Sequence, residues 1–348
     1  MKPITSLAST LFLFAALISG GCGGGGGGGG TNGSGSDVTG SLSGDLTPLT
    51  PEGQATSPYE VTVLGTLGGD SYAVALNNAG QVVGNYLGEG GATNAFIWEG
   101  GRMTALADSA QAADINDRGQ VVGWLEQADG PEAFFFDKGL FRVNTLEGSS
   151  KALAVDNRGR VAGRRTTSRE YAFIEDGQME SIAPNINGYA VAMNDSGQVI
   201  IKQVLQGSFH ALLWENGAVT DLGTLGGGST QVKGINAAGL VVGASQVAGG
   251  AYHAFLWEQG HMRDLGTFGG DSSSAVAINA KGQILIKSSG VDGDRFLLWQ
   301  DGDATSLGNF GADYAEAMDL NDQGQIVGWL MLDSGEIRAF LATPNNQG

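Results

Sequence analysis

Two carboxylates, Asp114 and Asp319, interrupt a position that is otherwise small in a repeated motif: Ala75, Ala154, Ala192, Gly234 and Ala277 fill it elsewhere. A carboxyl group enclosed in a crowded strand is a candidate general acid or base if burial raises its pKa. The alternative is structural, with the carboxylate taking hydrogen bonds from a neighbouring segment or facing a channel. A second set, Asp70, Tyr72, Lys151, Gln231, Asp271, Asp313 and Tyr314, lies where loops enter the same strands. Aromatic faces beside carboxylates there suit a sugar or a peptide ligand. In the competing reading Asp70 and Asp271 cap their own turns. A third group is basic. Arg158, Arg160, Arg164, Arg165 and Arg169 are five of the eleven arginines and fall within twelve residues. Arg164, Arg165 and Arg169 form a candidate anion site, for an acidic polysaccharide or a phosphate-bearing surface, because guanidinium groups grip such anions bidentately. Pairing with neighbouring acids is the other use for them. The three histidines, His210, His253 and His261, are too dispersed for a metal site. His210 and His253 share one repeat position and read as caps on a strand. No Gly-x-Ser-x-Gly elbow, His-Glu-x-x-His pair or phosphate loop is present, so neither a metal nor a cofactor is expected.

The elements that position these groups repeat. A motif apolar-Asn-x-x-Gly recurs seven times, starting at Asn77, Asn116, Asp156, Asn194, Asn236, Asn279 and Asn321, with steps of 39, 40, 38, 42, 43 and 42. Self-similarity at this period marks a repeat architecture, in which stacked copies share one core. Asn-x-x-Gly is a hairpin turn: Asn bonds its own backbone two residues on, and Gly accepts the left-handed conformation. Each copy predicts four short strands. The first ends at the Asn and is small four residues earlier, as Ala73, Ala112, Ala152, Ala190, Ala275 and Ala317 show. Such a strand fits the crowded axis of a closed ring. The second and third strands, such as 81–85 and 95–98, are apolar on consecutive positions, so both faces of each sheet are buried. The chain then ends during a third strand, and the missing fourth strand is found before the first repeat, at residues 61–64. The expectation is an all-β, seven-bladed β-propeller of four-stranded blades over residues 59–343, with the N-terminal strand closing the last blade.

The segments flanking this head are of other kinds. Residues 7–18 are an apolar stretch behind Lys2, too short to span a bilayer, and read as an export signal over residues 1–21. Cys22, the only cysteine, follows Ser19, Gly20 and Gly21. This resembles the lipobox of bacterial lipoproteins, although Ser19 stands where that family usually has Leu. The resemblance implies lipidation at Cys22. Gly23, rather than Asp, follows the cysteine, which by resemblance to Gram-negative lipoprotein sorting implies an outer-membrane lipoprotein, facing the periplasm or the surface. Residues 22–58 are Gly/Ser/Thr/Pro-rich and form a tether with a reach of roughly 35 Å on random-coil scaling. Residues 344–348 are a tail. The formal charge is −18, with 36 acidic against 18 basic residues, which argues against nucleic acid as a partner.

His253-Ala-Phe-Leu-Trp257 followed by Asp264-Leu-Gly-Thr-Phe-Gly-Gly-Asp-Ser272 resembles the HAF family of probable extracellular bacterial repeats. Asp221–Gly227 and Gly65–Asp70 carry the same resemblance, which extends in weaker form over all seven copies. It implies export and a repeat fold, and no known chemistry. Copies four and six depart from it, with Ile201-Lys202 and Ile286-Lys287 where a Gly closes the second strand elsewhere. Two functional expectations follow. One is a non-enzymatic, lipid-anchored binding or scaffold module at the cell envelope, with a polysaccharide or an envelope protein as its partner. The other is an exported carbohydrate-active hydrolase or lyase using carboxylates at the propeller mouth.

Overall fold

Every Asn-x-x-Gly segment forms the expected turn. Asn77 shows the pattern: its Oδ1 accepts the backbone N–H groups of Ala79 and Gln81, both at 3.0 Å. The Gly80 N–H closes the turn on the Asn77 carbonyl at 3.1 Å. The seven motif glycines have φ between +75° and +90°, the left-handed region that side chains with a Cβ avoid. These turns join the first and second strands of each repeat.

The computed structural model describes residues 58–142, 149–166, 170–175 and 179–345. Cys22, the signal segment and nearly all of the tether lie outside the described residues. The chain is an all-β propeller of four-stranded antiparallel blades. Six sheets are each built from four consecutive strands, with innermost strands Ser71–Leu76, Ala110–Ile115, Ser149–Val155, Gly188–Met193, Gly226–Ile235 and Ser272–Ile278. We number these blades one to six. A seventh sheet is composite: Ala315–Leu320, Ile326–Met331 and Ile337–Pro344 are joined on their outer edge by Tyr59–Gly65. The pairing of that outer strand runs antiparallel from Tyr59 opposite Pro344 to Gly65 opposite Ala339. Tyr59 and Leu64 are buried by it, and the Tyr59 hydroxyl donates to the Gly324 carbonyl at 2.9 Å. Neighbouring blades pack in chain order, and the seventh sheet packs against blade one.

The departures in blades four and six are an exchange of size. In four of the other blades the second-strand glycine lies opposite a phenylalanine of the third strand: Gly84 and Phe96, Gly123 and Phe134, Gly243 and Phe255, Gly328 and Phe340. A Cβ on Gly84 would meet the Tyr72 carbonyl at 2.1 Å and the Phe96 ring at 2.7 Å. Where isoleucine replaces glycine the partner is leucine, Ile201 opposite Leu212 and Ile286 opposite Leu297. Large with none, or medium with medium, fills the same volume, as close-packed interiors require.

Serines next to the HAF-like segments also have structural work. Ser273 Oγ accepts the Ala254 N–H from the preceding blade at 2.7 Å and donates to the Gly266 carbonyl at 2.6 Å. Ser71 repeats this across the closing seam, with Ala339 N–H at 3.0 Å and the Gly65 carbonyl at 2.7 Å. The serine six residues before the motif Asn therefore fastens one blade to the next.

The motif asparagines close the ring. Each side-chain amide donates to the backbone carbonyl of the next motif residue: Asn77 to Asn116 at 3.0 Å, Asn116 to Asp156 at 2.7 Å, Asn194 to Asn236 at 2.9 Å. Asn236 donates to Asn279 at 3.1 Å, Asn279 to Asn321 at 2.9 Å, and Asn321 back to Asn77 at 3.1 Å. Asp156 has no amide to give. Its Oδ2 instead accepts from Arg160 Nε at 2.6 Å, and the same guanidinium reaches the Asp195 carbonyl at 3.1 Å. Arg160 stands where most copies carry Gln, so an Asp–Arg pair replaces an Asn–Gln pair at the one seam lacking the amide.

Candidate functional site

The turn end of the channel is ringed by hydrogen bonds between neighbouring blades. Below the asparagine ring, a run of alternating Asp and Asn side chains links blades: Asn78 bonds Asp322 and Asp117, and Asn157 bonds Asp117 and Asp195, at 2.9–3.2 Å. A cavity of about 250 Å³ lies there, lined by these groups and by Asp319. Asp319 Oδ2 accepts the Leu76 N–H of blade one at 3.0 Å, and Asp114 Oδ2 accepts the Val155 N–H of blade three at 2.8 Å. Their other oxygens accept from Leu320 and Ile115, both at 2.8 Å. Both acids thus do structural pairing between blades. Burial pushes Asp114 up to about 7, helped by the charge of Asp319 and opposed by its backbone hydrogen bonds. Burial likewise pushes Asp319 up to about 6.

These shifts fix a sign. A carboxyl whose folded pKa exceeds its unfolded value is bound more tightly by protons in the folded state, so stability falls as pH rises through the interval between the two values. Between pH 4 and 7 the two groups lower stability with a slope of at most about 1.4 kcal/mol per pH unit each. Asp114→Ala, combined with Asp319→Ala, should flatten the pH dependence of the melting temperature across this window. Wild type and double variant running parallel from pH 4 to 7 would contradict the assignment.

The opposite end, which we term the mouth, is where the copies differ. A simple rule governs it. At five seams the second-strand residue opposite the start of the innermost strand meets the innermost strand of the next blade. Asn85 brackets Ala112, accepting its N–H at 2.8 Å. The Lys151 amine sits 3.9 Å from the Trp124 ring centre, and the Arg164 guanidinium 5.5 Å from that of Tyr189. Lys287 Nζ donates to Glu316 Oε2 at 2.6 Å, and Trp329 meets Tyr72 edge-on at 5.7 Å. Each seam has its own chemistry on an invariant frame.

The seam between the seventh sheet and blade one is the richest. Tyr314, 39% exposed, lies 5.6 Å from the Trp329 ring. Tyr72, Trp329 and Tyr314 together make an aromatic shelf. Beside it, Lys287 holds both Glu316 at 2.6 Å and Asp294 at 2.8 Å. Burial works against the lysine's charge, but the two carboxylates outweigh it and raise its pKa. Burial likewise pushes Asp294 up, and hydrogen bonds from Lys287 and Ser289 overcome this and leave it below the usual range. Burial raises the pKa of Tyr314, and Glu316 pairs in register with Trp329, so the shelf and the charged trio form one cluster. A second cluster surrounds exposed Glu126, which accepts from Trp124 Nε1 at 2.7 Å and Gln111 Nε2 at 3.1 Å and lies 4.0 Å from Lys151.

Of the residues expected at the mouth, Tyr72 and Tyr314 come together. Asp70 does not join them as a ligand group and does not cap its own turn. Its Oδ1 accepts the Ile337 N–H at 2.9 Å and lies 3.7 Å from Arg338, so it braces the closing seam. Asp271 and Asp313 are exposed on their loops. Gln231 pairs in register with Ala244 and stands apart from the shelf. Two residues of the expected arginine patch can be placed on one strand. Arg164 and Arg165 are successive residues of the strand Val161–Thr166 and so point to opposite faces. Arg160 belongs to the turn end, and Arg169 lies outside the described residues. His253 Nδ1 is 2.9 Å from Asp264, and His210 Nδ1 is 4.0 Å from Asp221, each tying a third strand to a fourth. Trp124, Glu126 and Trp329 escaped the sequence reading. The signal was present: Trp124 and Trp329 directly follow the second-strand glycine.

No family model and no curated protein matches the sequence. Solved structures do match the fold. The β-propeller domain of the trilobed protease from Pyrococcus furiosus, which has an open velcro topology, is 12% identical with a TM-score of 0.53, over 70% of this chain and 85% of that one. YCF48 from Cyanidioschyzon merolae is 11% identical with a TM-score of 0.51, over 81% and 98%. YCF48 bound to D1 peptide gives 11% and 0.52, over 83% and 96%. The likeness is of fold alone. Here the outer edge of the seventh sheet is filled by Tyr59–Gly65.

Proposed function

We propose that this protein is an exported, lipid-anchored, non-enzymatic binding module that holds a saccharide at the propeller mouth. The observation that supports it is the shelf of Tyr72, Trp329 and Tyr314 set beside Lys287, Glu316 and Asp294. The C–H face of a sugar ring packs on aromatic faces, and fixed charged groups at its edge orient the hydroxyls. The residues that make the site vary between repeats while the frame does not, which is the distribution expected of a scaffold carrying one specialised surface. A hydrolase at the same place is less well supported. Glycoside hydrolysis needs a pair of carboxyl groups free to act on the glycosidic bond, whereas Asp294 and Glu316 beside the shelf are both held by Lys287, at 2.8 Å and 2.6 Å.

The test is a glycan and peptide binding screen of the fragment from Ser57 onward, run beside an assay for polysaccharide breakdown. Saccharide binding without product formation is the expected result. Release of reducing ends or unsaturated products would replace the binder with an enzyme. Binding of a protein or peptide alone would move the partner to another class.

A further inference from the structure

The closing strand Tyr59–Gly65 runs from one end of the propeller to the other. It begins at the turn end: the Asn345 N–H donates to the Pro58 carbonyl at 2.9 Å, and the Tyr59 hydroxyl reaches the motif-turn residue Gly324, also at 2.9 Å. It finishes at the mouth, where the Gly65 carbonyl accepts Ser71 Oγ at 2.7 Å at the start of the innermost strand of blade one. Between those points six residues pair with the strand Ile337–Pro344, from Tyr59 opposite Pro344 to Gly65 opposite Ala339. The side chains it buries sit near its two ends, Tyr59 and Leu64, while Glu60, Thr62 and Val63 between them are exposed.

A strand paired in this way resists a pull differently in different directions. The ladder bonds of antiparallel strands lie perpendicular to the strand axis. A pull along that axis therefore shears all of them together, and none yields before the rest. Sliding also displaces the buried groups, because a shift of one residue turns every side chain to the opposite face, Tyr59 and Leu64 included. A pull across the axis at the Tyr59 end strains one pair at a time, and each bond alone contributes little. The mouth end is fastened a second time: Ser71 Oγ accepts the Ala339 N–H at 3.0 Å, and Asp70 Oδ1 accepts the Ile337 N–H at 2.9 Å.

We infer that the closing strand is a directional mechanical latch. It keeps the ring shut under tension between the chain at Pro58 and the mouth, which runs along the strand, and it lets go under a much smaller pull across its Tyr59 end. The use of such a latch rests on the proposal of an anchored binder, in which a ligand at the shelf and an anchor upstream of Pro58 pull on opposite ends of the head. The shelf residue Trp329 lies on the strand Ile326–Met331, which pairs with Ile337–Pro344. Tension on the shelf therefore enters the sheet that holds the closing strand.

The experiment is single-molecule pulling on the fragment from Ser57 onward. That fragment has no cysteine, since Cys22 is the only one in the chain, so introduced cysteines place the handles uniquely. Ser57→Cys with Asp333→Cys, at the exposed mouth-end tip between the second and third strands of the seventh sheet, pulls along the closing strand. Ser57→Cys with Gly348→Cys pulls its Tyr59 end away from Ile337–Pro344. At equal loading rate the first rupture force should be at least about twofold higher along the strand, because forced opening reads the barrier of the step that yields. Leu64→Ala, added to each pair of handles, separates the two modes. Leu64 shares the load from the start only in the axial pull, so its loss should lower that force and leave the first rupture of the transverse pull unchanged. Equal forces in the two geometries would overturn the latch. An axial force that Leu64→Ala leaves unchanged in a folded fragment would also overturn it, by showing that another element yields first. The handles replace both anchor and ligand, so either failure is distinct from a failed glycan screen.

Discussion

Deleting Tyr59–Gly65 should convert the head from a stable monomer into a chain that aggregates or melts far below the intact fragment. Three losses combine. The strand Ile337–Pro344 would expose an unpaired edge, which is a template for association. Buried Tyr59 and Leu64 would be removed, at about 1.5–3 kcal/mol each. The Gly324 carbonyl would lose the Tyr59 hydroxyl at the turn. Against a total stability of roughly 5–15 kcal/mol, the sum is decisive. Light scattering and thermal melting of the truncated fragment check it. A truncated head that stays monomeric with an unchanged melting temperature would show that the outer strand is an ornament to a ring already closed without it.

Asn321→Asp should be the most damaging single change in the motif ring. Asn321 donates across the closing seam to the Asn77 carbonyl at 3.1 Å and, within its own turn, to Gln325 Oε1 at 2.8 Å. A carboxylate there would set one anionic oxygen against two acceptors in a buried site. The cost is about 2–4 kcal/mol, with a melting temperature lower by roughly 5–15 °C. The chain itself contains the remedy. Asp156 is tolerated because Arg160 bonds its carboxylate and reaches the next blade. Adding Gln325→Arg to Asn321→Asp should therefore recover more than half of the loss. Failure of the arginine to rescue would mean that blade three tolerates Asp156 for some other reason.

Much of the fold was legible because it is local. Asn with Gly three residues on is a turn by its own chemistry, the alanine four residues before Asn marks the crowded strand, and the stray strand at residues 61–64 has only one vacant edge to fill. The seams were not legible in the same way. That Asn77 donates to Asn116 depends on how two blades face each other, and the sequence of one repeat carries no trace of it. The Asp156–Arg160 pair and the Ile–Leu exchanges were visible as exceptions to the repeat, yet their meaning required the register between strands. At the mouth, Tyr72 and Tyr314 were readable as loop-adjacent aromatics. Trp329, which joins them, was hidden among hydrophobic strand residues because its neighbour belongs to another blade.

The proposal that the mouth is a binding surface rests most directly on Tyr314, whose side chain is 39% exposed and whose removal leaves the contact between Trp329 and Tyr72 in place. The measurement is the affinity of Tyr314→Ala for the saccharide that binds the intact fragment, taken together with its melting temperature. The expected result is a loss of about tenfold or more, or ~1.4 kcal/mol, with the melting temperature within a few degrees of wild type. Unchanged affinity in a folded Tyr314→Ala fragment would contradict the assignment of the binding site to the aromatic shelf.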